Sequence, residues 1–236
     1  MTNKFDLEKL YSTVSARLHK DHHDKGLNLL ICNAGISGPK APMPPPLPGR
    51  TSNPLDDPHL DDANAIKSAL WEKEGSPVEW DSVFRTNVSS VYFTALCFLP
   101  LLAKTHSNAG PGSVITISSM SGLIGPAQGH FSYNAAKAGT VHLTKLMSTE
   151  FSHRTGVRVN SIAPGYFPSE MTTGESDKAN KSELGQEKVQ DKGHPVPAGR
   201  AGSDEEMGQA VLFLAKCRYV CGHVLVIDGG VGTQVA

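Results

Sequence analysis

Four short apolar segments rich in β-branched residues alternate with segments of helical periodicity along this chain of 236 residues. The apolar segments cover residues 27–35, 113–119, 157–165 and 224–230. The helical patterns cover about residues 80–103, 131–153 and 203–216, and a further repeat lies between residues 7 and 18. Short apolar strands that alternate with helices form a parallel sheet covered on both faces. The sequence therefore predicts a single α/β domain with a doubly wound sheet.

Small and polar residues follow the predicted strands. Asn33, Ser119 and the Pro164–Gly165 turn each stand at a carboxyl end. Because ligands of open parallel sheets bind beyond the carboxyl ends of the strands, we expect a binding site at this edge.

Tyr133 and Lys137 stand four residues apart in the third helical segment and would project from one helix face. A phenol ionises near pH 10, which is too high for an efficient proton donor at neutral pH. A nearby ammonium favours the phenolate, so we expect Lys137 to lower the pKa of Tyr133. The pair alone is also compatible with an ordinary helix that carries a tyrosine and a solvated lysine.

Several motifs in a fixed order accompany this pair. They are Cys32-Asn-Ala-Gly35, Asn87 in Phe84-Arg-Thr-Asn-Val88, Ser119, Tyr133 with Lys137, Pro164-Gly165 and Asp228-Gly229-Gly230. From Gly26 onward the chain resembles the short-chain dehydrogenase/reductase family, which has a Rossmann-type doubly wound parallel sheet. Three features depart from that resemblance. Cys32 replaces an asparagine, the spacing from Ser119 to Tyr133 is one residue longer than usual, and Phe167 and Ser169 stand where a β-branched residue and a threonine are common.

The resemblance implies an NAD(P)-dependent oxidoreductase that interconverts a ketone and a secondary alcohol by hydride transfer. Tyr133 would be the acid or base, and Lys137 would also hold the nicotinamide ribose. Ser119 would hydrogen-bond the developing alkoxide, and Asn87 would hold a water that links Lys137 to solvent. The implied catalytic residues are Asn87, Ser119, Tyr133 and Lys137. The implied cofactor-binding residues are Asn33, Ala34, Gly35, Tyr133, Lys137, Pro164, Gly165, Phe167 and Ser169.

The resemblance extends to members described as 3-oxoacyl-carrier-protein reductase-like, but the sequence does not fix the carbonyl or alcohol substrate. It also implies a homo-oligomer, a dimer or a tetramer, formed through the helices that begin near Trp80 and Phe131. A catalytically inactive oligomerisation or interaction partner is the alternative.

The glycine-rich phosphate-binding turn of the family is not found in this sequence, which begins at a segment like the one after the family's third strand. The resemblance therefore implies an N-terminally incomplete fold whose first strands are missing. In the family order 3-2-1-4-5-6-7, the strand at residues 27–33 would become an unpaired edge and an aggregation hazard. The segment that selects NAD or NADP would be absent as well.

Three explanations for the short start stay open. The first is a gene model or splice form that begins late. The second is a genuinely truncated, non-catalytic interaction partner, and the third is an active short enzyme that another chain completes.

Two segments interrupt the alternation of strands and helices. Residues 39–78 form a proline-rich insert that includes Pro44-Pro45-Pro46. Its prolines indicate a surface excursion rather than a helix interior or a central strand. This insert is compatible with a spacer, a mobile loop or a proline-motif docking site. Residues 171–197 are polar, and the resemblance implies a substrate lid there.

Composition excludes several classes of protein. A net charge of −1 and a pI near 6.8 give no general attraction to nucleic acid or membranes, and no secretory segment or run of 18 apolar residues is present. Four cysteines without a disulfide-dense pattern indicate reduced thiols and a cytoplasmic protein. No convincing metal site appears at Cys217 and Cys221 or among His19, His22 and His23. A serine hydrolase is excluded because Ile117 and Ser121 occupy the glycine positions of a nucleophile elbow.

Overall fold

The computed structural model describes residues 3–22, 26–44, 60–104, 110–174, 176–178, 182, 184 and 196–235. The strands are β1 (Leu29–Cys32), β2 (Ser113–Ile117), β3 (Arg158–Pro164) and β4 (Val224–Ile227). The α-helices are α1 (Lys4–His22), α2 (Leu60–Lys73), α3 (Pro77–Phe84), α4 (Ser90–Ala103), α5 (Phe131–Thr155), α6 (Glu170–Thr173) and α7 (Asp204–Lys216). A π-helical turn (Arg85–Ser89) and two 3₁₀ turns (Met120–Gly122 and Val231–Thr233) complete the described elements.

The strands form one parallel sheet in the order β1-β2-β3-β4. This order confirms the predicted α/β fold with a parallel sheet. Leu29 of β1 pairs with Ser113 of β2, which in turn pairs with Arg158 of β3. Among the described residues, no strand pairs with the outer edge of β1, as the sequence predicted.

Helices cover both faces of the sheet. On one face α1, α4 and α5 share a core with β2 and β3, in which Leu102, Val114 and Val159 are fully buried. On the other face α7 contributes Leu214, which packs against Ile115 and Ile162. Val114 and Ile115 enter opposite cores because successive side chains of a strand point to opposite faces.

The helix predicted at residues 80–103 begins earlier and is not uniform. Pro77 starts α3 behind a capping box in which Ser76 and Glu79 bond each other's backbone N–H groups. The chain then makes the π-helical turn before α4 continues. Together these elements form a helix over Pro77–Ala103 that contains an 18-residue window with a mean hydropathy of 1.4. It is long and apolar enough to cross a membrane, which is a weak indication because core helices meet the same criterion.

Both ends of α7 have identifiable caps. A capping box begins the helix, because Ser203 accepts from Glu206 N–H and Glu206 accepts from Ser203 N–H. At the other end, the buried Arg158 guanidinium donates to four main-chain carbonyl oxygens at 2.9–3.2 Å. They belong to Leu214, Ala215, Cys217 and Val220.

The described ends of the proline-rich insert pack onto the domain, while its residues 45–59 lie outside the described part of the chain. Ala41 is fully buried and its N–H donates to the Gly129 carbonyl oxygen at 2.8 Å. Glu74 accepts from the Ser132 N–H at 3.1 Å, in the first turn of α5. The insert also contains α2, for which the sequence analysis predicted no element.

Candidate active site

Helix α5 brings Tyr133 and Lys137 to the carboxyl end of β2. Tyr133 and Ser119 line the same cavity, and the Ser119 hydroxyl lies near enough to the Tyr133 phenol to oppose the rise in its pKa. The Lys137 Nζ lies 5.5 Å from the centroid of the Tyr133 ring and donates to the Ile117 carbonyl oxygen at 2.9 Å. The serine, tyrosine and lysine predicted from the sequence therefore meet at one site.

The predicted lowering of the Tyr133 pKa by Lys137 is wrong for this structure. Burial raises the pKa of the Tyr133 phenol, and the nearby Ser119 hydroxyl offsets only part of that rise. Burial also lowers the pKa of Lys137 to about 8. The reason is that both groups are taken out of water, while the ammonium faces the ring and bonds a main-chain carbonyl.

Ser119 has a structural role in addition to its contact with Tyr133. It ends the extended segment after β2 and accepts from the Ser121 N–H at 3.1 Å, which caps the following 3₁₀ turn. Gly122 in that turn lies directly on α5, because a β-carbon there would stand 2.6 Å from the Ala138 nitrogen. This close contact fixes the turn that follows Ser119 against α5.

Asn87 lies in the π-helical turn and is almost fully buried. Its side-chain amide bonds both main-chain groups of Ile36, each at 2.9 Å. Its own carbonyl oxygen accepts from the Thr140 hydroxyl at 2.7 Å. Asn87 thus ties the turn after β1 to helix α5, and π turns often occur at such functional positions.

The turn after β1 faces the same site. Asn33 and Ala34 are exposed, and a β-carbon on Gly35 would stand 3.1 Å from Asn87 Oδ1 and 3.4 Å from Lys137 Nζ. Glycine at this position therefore lets the backbone of the turn pack closely against two polar side chains.

The turn after β3 places its predicted residues in different surroundings. Pro164 ends β3, and the Gly165 N–H donates to the Ile227 carbonyl oxygen at 3.0 Å. The Phe167 ring packs against Gly202 and lines a separate cavity beside α7. Ser169 is exposed and caps α6 through Thr172. The side chains of Phe167 and Ser169 are therefore not among those that line the cavity at Tyr133.

A cavity of about 390 Å³ opens beside Tyr133 and Ser119. Other residues in its wall are Ser37, Lys40, Pro42, Met120, Ser121, Gln128, Gly129, His130, Gly165, Tyr166, Met171 and Thr172. The sequence analysis did not identify Lys40, Gln128, His130 or Tyr166 as site residues. Two of them could have been identified from the sequence, because Tyr166 directly follows the Pro164-Gly165 turn and His130 directly precedes α5.

The parallel sheet, with Ser119, Tyr133 and Lys137 grouped at its carboxyl edge, defines a Rossmann-type α/β domain. The profile of the family described as Enoyl-(Acyl carrier protein) reductase matches residues 65–232. The short-chain dehydrogenase/reductase PhomF' of Diaporthe leptostromiformis is 33% identical over 97% of this chain and 71% of its own length. The chain therefore belongs to the short-chain dehydrogenase/reductase family.

Further relatives agree with this assignment. The 3-oxoacyl-[acyl-carrier-protein] reductase FabG of Chlamydia muridarum is 40% identical over 66% of this chain, which spans 57% of that protein's length. The solved Pseudomonas aeruginosa RhlG/NADP active-site complex superposes with a TM-score of 0.70 at 26% identity, covering 98% of this chain and 74% of that one. The chain thus spans little more than half the length of FabG.

Proposed function

We propose that this chain is an NAD(P)-dependent oxidoreductase that interconverts a ketone and a secondary alcohol. The observation that supports this most directly is the placement of Tyr133 and Ser119 in one cavity, with the buried Lys137 against the Tyr133 ring. These three groups can hold a carbonyl oxygen and supply it with a proton.

In the reductive direction, Tyr133 donates its phenolic proton to the carbonyl oxygen while Ser119 hydrogen-bonds the same oxygen. A reduced nicotinamide, when bound, would supply the hydride for the carbonyl carbon. Lys137 would hold the ribose of that cofactor, and its positive charge attracts the phenolate that remains after proton donation.

Asn87 can assist the return of a proton to the site. Its side-chain amide is hydrogen-bonded to the main chain of Ile36, and its main-chain carbonyl oxygen accepts from the Thr140 hydroxyl. A carbonyl oxygen has two lone pairs, so this oxygen can also accept from a water that connects Lys137 with solvent.

The remaining features of the function are proposed from the family. The name of FabG gives a 3-oxoacyl-[acyl-carrier-protein] as its substrate. A carbonyl compound with a 3-oxoacyl group is therefore a candidate here. The choice between NAD and NADP stays open. Residues 171–197 remain a predicted substrate lid, although most of them lie outside the described part of the chain. A cytoplasmic location and the absence of nucleic-acid and membrane partners also remain predictions.

Replacement of Tyr133 by phenylalanine tests the proposed chemistry. Tyr133→Phe removes one hydroxyl, so we expect reduction of a ketone panel with NADPH and NADH to fall by about 10²-fold or more. Tyr219→Phe is the matched control because Tyr219 is fully exposed. Circular dichroism and urea unfolding should show the same fold for all three proteins. Wild-type turnover in Tyr133→Phe would refute the proposal.

An inactive oligomerisation partner is the second candidate. The observation in its favour is that α4 leaves Tyr92 and Leu96 exposed by 37% and 41%. Light scattering coupled to size-exclusion chromatography would detect the dimer or tetramer. A stable oligomer without turnover of any ketone would favour this candidate over the enzyme.

A further inference from the structure

The proline-rich insert forms one wall of the cavity at Tyr133, through Lys40 and Pro42. Two contacts fix the backbone on either side of Lys40. Before it, Pro39 packs on Gly75, where a β-carbon would stand 2.8 Å from the proline ring. After it, the fully buried Ala41 bonds the Gly129 carbonyl oxygen. The position of the Lys40 backbone at the cavity is therefore set by the fold.

The ionisable groups of this cavity favour negative charge. Among the described residues that line it, Lys40 supplies an ammonium and His130 an imidazole, whereas none supplies a carboxylate. Within the described part of the chain, Lys40 forms no ion pair. The same lining holds Tyr133 and Ser119, which the proposed reaction requires at the carbonyl oxygen.

We propose that the substrate is an anionic carbonyl compound whose charged group pairs with Lys40 while its carbonyl oxygen contacts Tyr133 and Ser119. This inference rests on the proposed function, because it assigns the other end of the same substrate. A cavity of about 390 Å³ suits a small molecule. An oxo acid and a phosphorylated ketone each carry a carbonyl group and an anionic group, whereas a neutral ketone lacks the anionic group.

Matched pairs of ligands test the inference by equilibrium binding. The probes are 4-oxopentanoate against its methyl ester, and dihydroxyacetone phosphate against dihydroxyacetone. We expect calorimetry to show that the wild-type chain binds at least one anion about tenfold more tightly than its neutral counterpart, and that this preference shrinks at high salt. The pair that shows the preference distinguishes a carboxylate from a phosphate.

Two variants assign the effect to a residue. Lys40→Gln should bind the anion and its neutral counterpart equally, because the ammonium is lost. Lys67→Gln, an equal change of charge at an exposed position on α2, should keep the wild-type preference. Equal binding of both members of each pair by the wild type would overturn the inference. Undetectable anion binding at millimolar concentration, or a preference that persists in Lys40→Gln, would overturn it as well.

Turnover of the same ligands separates this inference from the proposed function. Reduction of neutral ketones without any preference for anions would leave the proposed function standing and refute the role of Lys40. Lys40-dependent binding of an anion without any turnover would support the charged subsite and refute the oxidoreductase.

Discussion

Lys137 is an ionisable residue with only 4% of its surface exposed. Its pKa falls from 10.5 to about 8 on burial, so the unfolded chain binds more protons than the folded chain between those pH values. The free energy of unfolding therefore rises with pH across that window. Below about pH 8, burial of the charged Lys137 lowers the free energy of unfolding by the full amount of about 3 kcal/mol. The hydrogen bond to Ile117 offsets part of this cost. A residue retained at such a cost is a candidate for function.

Lys137→Met should accordingly stabilise the fold while it removes activity. At pH 7 we expect the free energy of unfolding to increase by about 1–2 kcal/mol, since methionine carries no charge to desolvate. The advantage over the wild type should narrow from pH 8 to pH 10.5. Urea unfolding across this range measures the difference, with Lys145→Met on the exposed face of α5 as the control. A variant no more stable than the wild type would contradict the assigned cost of burial.

Gln128 shows what sequence analysis misses at this scale. It is the one described residue other than glycine with a left-handed backbone, at φ 54°. Its amide accepts from the Ser121 hydroxyl and donates to the Tyr166 hydroxyl, each at 3.1 Å. Tyr133 and Lys137 could be predicted because their spacing fits one turn of a helix. Gln128 could not, because its partners come from two other loops.

The caps of α7 show the same contrast for a whole element. Ser203 and Glu206 are three residues apart, so their reciprocal hydrogen bonds could be predicted from local sequence. Arg158 caps the other end from strand β3, 56–62 residues away from its acceptors. The sequence contained no signal for this cap, because it requires β3 and α7 to be packed against each other. The π-helical turn at Asn87 was likewise not predicted.

Arg158→Met should weaken α7 and the sheet beneath it. The change removes four donated hydrogen bonds, although the Val220 oxygen keeps Asn160 Nδ2 and the Cys217 oxygen keeps the Val220 N–H as donors. We expect a loss of about 2–4 kcal/mol in the free energy of unfolding. Arg200→Met is the comparison, because Arg200 is exposed and pairs with Glu206 on the surface at 2.7 Å. Chemical denaturation should show a clearly smaller effect for Arg200→Met. Equal effects would mean that the buried guanidinium contributes no more than a surface pair.

At the scale of the whole molecule, the parallel direction of the four strands could be predicted because each strand is a separate apolar segment between helices, whereas their order was implied by the resemblance to the family. The position of the insert could not be predicted, because its contacts depend on single residues such as Ala41 and Glu74 rather than on periodicity. The predicted free edge at β1 is present in the described part of the chain. Its Ile31 side chain is 41% exposed.

This edge should govern the self-association of the 236-residue chain. An unpaired strand with an exposed apolar side chain is a template for pairing with another chain. Ile31→Lys should therefore lower light scattering at high protein concentration without changing the circular dichroism spectrum. Leu212→Lys, which replaces an apolar residue 57% exposed on α7, should have little effect. Equal reduction by both variants would point to general surface hydrophobicity instead.

The contact between Pro39 and Gly75 brings the two ends of the insert together at the rim of the catalytic cavity. Because the chain leaves and re-enters the domain at one place, the number of residues between Pro42 in the cavity wall and Glu74 can vary without moving that wall. Doubling such a loop costs only about 0.6 kcal/mol in closure entropy. Evolution can therefore lengthen, shorten or exchange this stretch while the reaction centre keeps its geometry, which makes it a natural place to graft new recognition sequences.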